Sequence, residues 1–328
     1  MNAASVQLFC RLVLIPLYTA ALATNAISAE WRPAQPVKLV VHTGPGSGAD
    51  FFARQIAEII KEGALLPAGV EVVNKGGGGG AVALNFLAER RGDPTYLMSV
   101  TNVFLTTPLR QKDLPTYRDF QPVVVMAHDT NAIQVLASSP YRTMQDLLDA
   151  ARAQPKKVTH AFGAFGGTDH IIGYQLAKAS GVQFSYVAFK GGGEATTALL
   201  GGHVDFVTGN PGETRAHVQA GKLRVLAVVG EKRLAVFPEV ATLKELGVNL
   251  GGTFAVFRGF VAPAGVPREA VDAYATVLRR VMDAPAWKRY AADNDLSEGY
   301  LGPAQMARFL EERNADLARV LSELAKSK

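Results

Sequence analysis

Residues 40–60 read VVHTGPGSGADFFARQIAEII. An apolar, β-branched run passes through a glycine-rich turn into a segment whose Phe52, Ile56, Ile59 and Ile60 share one helical face. Strand, glycine loop and helix in that order are the unit of an α/β protein, and the helix start presents unpaired N–H groups to an anion. A nucleophile elbow requires G-x-S-x-G, but Pro45 and Ala49 flank Ser47 here. A dinucleotide loop requires G-x-G-x-x-G and an acid at the end of the next strand. Here the spacing is GPGSG and the next strand ends in Asn74-Lys75. Two readings remain: a tight turn without a ligand, or an anion held by the N–H groups of Gly46, Ser47, Gly48 and Ala49 with help from the Ser47 hydroxyl.

The same unit recurs outward along the chain. VEVVN (70–74) is a strand, and NKGGGGG, centred on Gly77, leads into the helix-like AVALNFLAER. No G-K-[ST] follows those glycines, so they are not a nucleoside-triphosphate loop. TYLMSVTN is a strand ending at Thr101 and Asn102; VVVMA and AIQVLAS are two more, and MQDLLDAARA is an amphipathic helix closed by Gln154-Pro155. KVTHAFGAFGGTDHIIGYQLAKASG repeats strand, glycine loop and helix, with Thr168 as the expected N-cap. FSYVAFKGGGEATTALLGG repeats it again, and VDFVTGNPGE is a strand stopped by Asn210-Pro211-Gly212. LRVLAVVG and TFAVFRGFVAP are further strands, and helices start at Pro267 and Pro303.

This alternation predicts mainly parallel sheets with helices on both faces. Ligands in open α/β sheets bind at the strand C-terminal ends, where the glycine loops fall. The loops are too many for one small site on one sheet; two lobes facing across a cleft use them all.

The bulk composition narrows the function. At 48% hydrophobic and 19% charged residues, the 328-residue chain can build a real core and is not a disordered one. The net charge of +5 is scattered without a run of like signs, which excludes a nucleic-acid-binding arm. Between Arg11 and Glu30 lies LVLIPLYTAALATNAISA, whose strongly apolar part is shorter than the roughly 20 residues a spanning helix needs. Residues 1–29 are therefore predicted to be a secretory signal peptide cleaved between Ala26 and Ala29. Cys10, the only cysteine, lies inside it, so the mature chain has no disulfide and no thiolate metal site. Export into an oxidising compartment such as a bacterial periplasm follows. The six histidines form no tight metal-ligand spacing, and no activated nucleophile stands beside a base. No catalytic residue, metal or cofactor is predicted. Asp169, at a helix start, suits a water or a ligand amine or hydroxyl better than an anion alone, and Lys190 is a candidate direct contact.

Taken together, WRPAQPVKLVV, GSGADFFAR (a G-x-G-x-D-x-x-A-R motif at 46–54), VEVVNKGGGGG, VAFKGGGEATTALLGGHVDFV, AGKLRVLAV and FVAPAGVP resemble the solute receptors of tripartite tricarboxylate transporters, the Bug family of extracytoplasmic binding proteins. The resemblance runs from Pro36 to Leu310 and lies in the order and spacing of the segments. It implies a type II periplasmic binding fold, with lobe one at 30–129 and 253–328 and lobe two at 130–252. The crossings are expected near 127–131 and 251–257. It implies a ligand carboxylate lying, with bridging waters, against Thr43, Gly46, Ser47, Gly48, Ala49 and Asp50, near Gly77, and against Gly163, Phe165, Gly166, Gly167, Thr168 and Asp169. Thr101 and Asn102 border the cleft from lobe one; Lys190, Gly191 and Asn210 border it from lobe two. The implied function is a monomeric periplasmic receptor that delivers a small organic carboxylate to a membrane permease, with no nucleic-acid partner. A ligand-sensing subunit or an exported enzyme acting on a small acid are the alternatives. The chain departs from the family pattern at His42, Gly44-Pro45, Gly76 and Phe165, all at the expected cleft.

Overall fold

The computed structural model describes residues 31–163, 165–250 and 255–326, all within one compact unit. The predicted signal peptide, its cleavage region and Cys10 lie outside the described residues, as does most of the expected second crossing. No helix among the described residues is long and apolar enough to cross a membrane.

The chain begins with β1 (Val37–Val41), α1 (Gly48–Glu62), β2 (Val70–Asn74), α2 (Ala81–Ala88), β3 (Tyr96–Val100), α3 (Val103–Arg110) and β4 (Phe120–Asp129). After Thr130 it continues through β5 (Asn131–Leu136), α4 (Met144–Ala153), β6 (Thr159–Phe162), α5 (Thr168–Ser180), β7 (Ser185–Ala188), α6 (Gly192–Leu200), β8 (Phe206–Gly209), α7 (Pro211–Gln219) and β9 (Leu223–Val229). It closes with β10 (Val256–Pro263), α8 (Arg268–Asp283), α9 (Pro285–Asp293), β11 (Leu296–Leu301) and α10 (Pro303–Lys326).

Two sheets result, six strands in the order β11-β4-β10-β3-β1-β2 and five in the order β7-β6-β8-β5-β9. They are mixed rather than mainly parallel. β1 pairs parallel with β2 and β3, but β10 runs antiparallel to both β3 and β4, and β11 antiparallel to β4. In the second sheet β6 is parallel to β7 and β8, whereas β5 is antiparallel to β8 and β9. The cause is connectivity: β4 runs out of the first sheet and β5 enters the second, and β10 returns to the first from the opposite direction.

Helix α1 follows the pattern that its sequence sets. Ser47 accepts the Asp50 N–H at 3.2 Å, while Phe52, Ile56, Ile59 and Ile60 are buried and Gly63 closes the end. Phe52 stacks on Phe260 of β10 and meets Trp287 of α9 edge-on, which fixes α1 against the first sheet. A second cluster joins the sheets. Val40, Val100 and Phe257 of the first share it with Ile133 and Phe206 of the second, and Leu317, Leu321 and Leu324 of α10 complete it. The C-terminal helix thus packs on both halves, and the Lys178–Glu323 ion pair at 2.8 Å ties α5 to its far end.

Candidate functional site

The loop from β1 to α1 is braced from within. Asp50 is buried, and its Oδ2 accepts from Gly46 N and Arg54 Nε, both at 2.9 Å, while Oδ1 accepts from Asn74 Nδ2 at 2.9 Å. Burial alone would raise this carboxyl, but the bonds from Arg54, Gly46 and Asn74 outweigh it and hold the group below its ordinary value. Asn74 also donates to Thr43 O at 3.1 Å, and the Thr43 and Ser47 hydroxyls share a hydrogen bond. Asp50 therefore braces the loop, although its motif position predicts a ligand contact. Gly46, Ser47, Gly48 and Ala49 stand at the helix start as expected.

His42 lies behind this loop. Its Nδ1 faces Ser99 O at 3.1 Å and its Nε2 the Thr101 hydroxyl at 3.4 Å. Burial pushes the imidazole down to about 4, so the ring is neutral near pH 7, donating to the carbonyl and accepting from Thr101. Gly77, Gly78, Gly79 and Gly80 follow in succession at positive φ, a conformation that other residues would hold only under strain. Gly77 is exposed there, and Gly76 packs so closely that a β-carbon on it would lie 3.0 Å from Gly44 N.

The facing loop, between β6 and α5, is built differently. The N-cap of α5 is Gly167, with no side-chain cap, rather than Thr168. Thr168 is the first helical residue, and its hydroxyl accepts instead from Asn102 Nδ2 at 2.9 Å, joining the two halves of the molecule. Asn102 also donates to Ala255 O at 3.2 Å, while its buried Oδ1 has no hydrogen-bond partner among the described residues. Asp169 is half-buried and accepts from Gly163 N at 3.2 Å; desolvation lifts its carboxyl above the ordinary value. Gly163 abuts the start of α6: a β-carbon on it would lie 2.5 Å from Gly192 N and 2.8 Å from the Gly191 carbonyl carbon. Phe165 is 41% exposed beside buried Gly166.

The remaining predicted residues lie further out. Lys190 is exposed, with its backbone N–H bonded to Glu194 Oε2 at 3.1 Å. Asn210 N-caps α7 without a side-chain cap bond and reaches Thr130 O at 3.4 Å, so it holds the crossing between β4 and β5.

Two charged residues at the centre were not singled out in the sequence. Glu213, in the first turn of α7, lies so close to Gly48 that a β-carbon there would collide with its Oε1. Its other oxygen lies 3.6 Å from the β-carbon position of Gly192. Its neighbour is Arg258 of β10, 4.0 Å from Oε1, which is buried and paired through Nε and Nη2 with Asp129 at the end of β4. Desolvation, reinforced by Asp129 and Asp169 and opposed by Arg258, raises the Glu213 carboxyl to about 7. No sequence motif marks either residue; their proximity arises only when the two sheets face each other. No group of metal-ligating side chains occurs among the described residues.

A profile for the tripartite tricarboxylate transporter family receptor matches residues 52–325. The chain belongs to that receptor family. The receptor is 32% identical, over 94% of its own length and 95% of the other chain's, to the "UPF0065 protein in gbd 5'region" of Cupriavidus necator. It is 30% identical to BugT of Bordetella pertussis over 67% and 68% of the two chains. Among solved structures, R. palustris Rpa4515 with adipate superposes with a TM-score of 0.82 at 27% identity, covering 88% of this receptor and 97% of that chain. The two-lobe α/β binding fold expected of the family is the fold observed.

Proposed function

We propose that this chain is a periplasmic receptor that captures a small carboxylate between two lobes, residues 30–129 with 253–328 and residues 130–252, and delivers it to a membrane permease. The observation that carries the reading is the Asn102–Thr168 hydrogen bond, which joins the N-cap of α3 in the first lobe to the start of α5 in the second; α1, which starts at Ser47, follows β1, the strand beside β3 in the same sheet. A carboxylate at these helix starts gains charge-assisted hydrogen bonds from backbone N–H groups. The unpartnered Oδ1 of Asn102 adds an acceptor for a bridging water or a ligand hydroxyl. Family membership and the adipate held by Rpa4515 support the ligand class. Contacts from both lobes make ligand binding favour the closed arrangement, which a permease can recognise. In this reading Gly46, Ser47, Gly48, Ala49, Thr101, Asn102, Gly163, Gly166, Gly167 and Thr168 line the carboxylate site. Asp50 and Asn210 brace it. The chain binds without turnover and acts as an exported monomer.

The test is a thermal-shift panel of mono-, di- and tricarboxylates, with mass spectrometry of the recovered ligand. Stabilisation by a subset of acids recovered unchanged is the expected result. Stabilisation by a neutral sugar but by no acid sinks the reading, and chemical conversion of the acid sinks its non-catalytic part.

A further inference from the structure

Against the start of α1 lies a carboxyl group of the second lobe. Glu213, in the first turn of α7, sets Oε1 where a β-carbon on Gly48 would overlap it, and Oε2 lies 3.6 Å from the β-carbon position of Gly192 at the start of α6. The residues around it seat α7 on lobe one. A β-carbon on Gly212 would lie 3.0 Å from Asn294 Oδ1, and Arg215 Nη1 donates to Asp293 O at 2.7 Å, both at the end of α9. Glu213 is thus positioned by its neighbours, while 39% of its own side chain stays accessible to solvent. Its ion-pair partner, Arg258, stands at 4.0 Å, beyond hydrogen-bond reach, and is already paired with Asp129.

The charges around this carboxyl do not balance. Arg258 of β10, Asp129 of β4 and Asp169 of α5 all act on it, and Tyr290 of α9 lies within electrostatic reach. Other charged groups nearby are engaged elsewhere: Asp50 of α1 by Arg54 and Asn74, Glu194 of α6 by the Lys190 N–H, and Arg215 of α7 by Asp293. Three carboxyls therefore share one guanidinium. A ligand carboxylate laid against Gly48 touches Glu213 and brings a fourth acid group beside that single cation. As an anion, Glu213 repels it; as a neutral acid, Glu213 offers it an O–H donor and a charge-assisted hydrogen bond.

We propose, building on the cleft reading above, that Glu213 is a ligand-binding residue that donates a protonated carboxyl oxygen to the ligand's carboxylate, so that the receptor takes up one proton with each acid it captures. The proton comes from solvent and stays on Glu213 in the complex; no other bond changes. Burial, opposed by Arg258 and reinforced by Asp129 and Asp169, lifts this carboxyl to about 7, which makes the neutral form accessible at neutral pH.

The test is isothermal titration of the mature protein at pH 8 with acetate, adipate and citrate, each fully ionised there, in two buffers of different ionisation enthalpy. The difference in heat counts the protons taken up. Close to one proton per bound acid is expected, with affinity falling about tenfold for each pH unit from 7.5 to 9. Glu213→Gln keeps a donor without a titrating proton, so its binding should show neither proton uptake nor a pH slope. Glu213→Ala has neither donor nor charge; it should bind less tightly than wild type at pH 6.5 and more tightly at pH 9, a crossing that lost packing alone does not produce. Asp169→Asn should retain the uptake. Binding without proton uptake, uptake that survives Glu213→Gln, or uptake abolished by Asp169→Asn overturns the proposal and leaves the cleft reading standing. Binding of no acid to wild type at any pH overturns both.

Discussion

The glycine loops that open α1 and α5 begin helices in different sheets and are built differently. In the first, Ser47 caps α1, and Asp50, Arg54 and Asn74 lock the backbone, so the loop's shape is set by its own lobe. In the second, α5 has no side-chain cap, and the Thr168 hydroxyl is bonded to Asn102 of the opposite lobe. One loop is braced by residues of its own lobe; the other is bonded to a residue of the opposite lobe. The difference assigns shape to lobe one and sensitivity to lobe two, as expected if one half presents the ligand and the other responds to it.

The largest effect is expected from Gly163→Val. Its side chain would enter the space held by Gly191 and Gly192, backbone that cannot move aside, so carboxylate-induced stabilisation should vanish in a thermal-shift assay. Retained response would mean that the second loop is as independent as the first. Next is Asp50→Ala, which strips three hydrogen bonds from the first loop; a loss of about 2–3 kcal/mol in urea unfolding is expected.

A pH series follows. Glu213 has a folded value of about 7 against an ordinary 4.5, so the native state binds the extra proton and this contribution to stability falls as pH rises from 4.5 through 7. His42, at about 4, and His160, at about 3, shift the other way from 6.5; their contribution is full above pH 6.5 and is lost as pH falls toward those values. Two imidazoles oppose one partly exposed carboxyl, so the wild-type melting temperature should drop on the acid side. Glu213→Gln should steepen the rise in melting temperature between pH 5 and 7 and melt higher than wild type above pH 7; identical profiles would remove Glu213 from this role. Smallest is a capping pair: Ser47→Ala should cost about 1 kcal/mol. Thr168→Ala, which removes no cap, should cost less stability yet weaken carboxylate binding more. Equal stability losses would erase the contrast between the loops.

What the sequence revealed follows the same division. The α1 loop was legible because its capping is local: Ser47 reaches a donor three residues on and Asp50 a cation four residues on. The succession of strands and glycine loops along the chain was legible for the same reason. The Thr168 cap was misplaced because its hydroxyl found a partner 66 residues upstream, outside any local window. Glu213 and Arg258 gave no signal, since a first-turn acid and a lone arginine look like solvated surface until the sheets bring them together. The mixed strand directions were hidden too: β10 looks like any buried strand, and only its return path makes it antiparallel.

That return has a consequence for how the molecule is made. In the first sheet β10 fills the slot between β3 and β4, although well over a hundred residues separate it from β4 along the chain. On a ribosome or a translocon, the second sheet has all its strands in hand while the first still carries two unpaired inner edges. Synthesis order therefore makes the last quarter of the chain a keystone, and a nascent chain cut before Val256 would expose the strand edges most prone to intermolecular pairing. Supplying residues 253–328 as a separate peptide should rescue such a fragment, a complementation that can be followed by recovery of soluble protein.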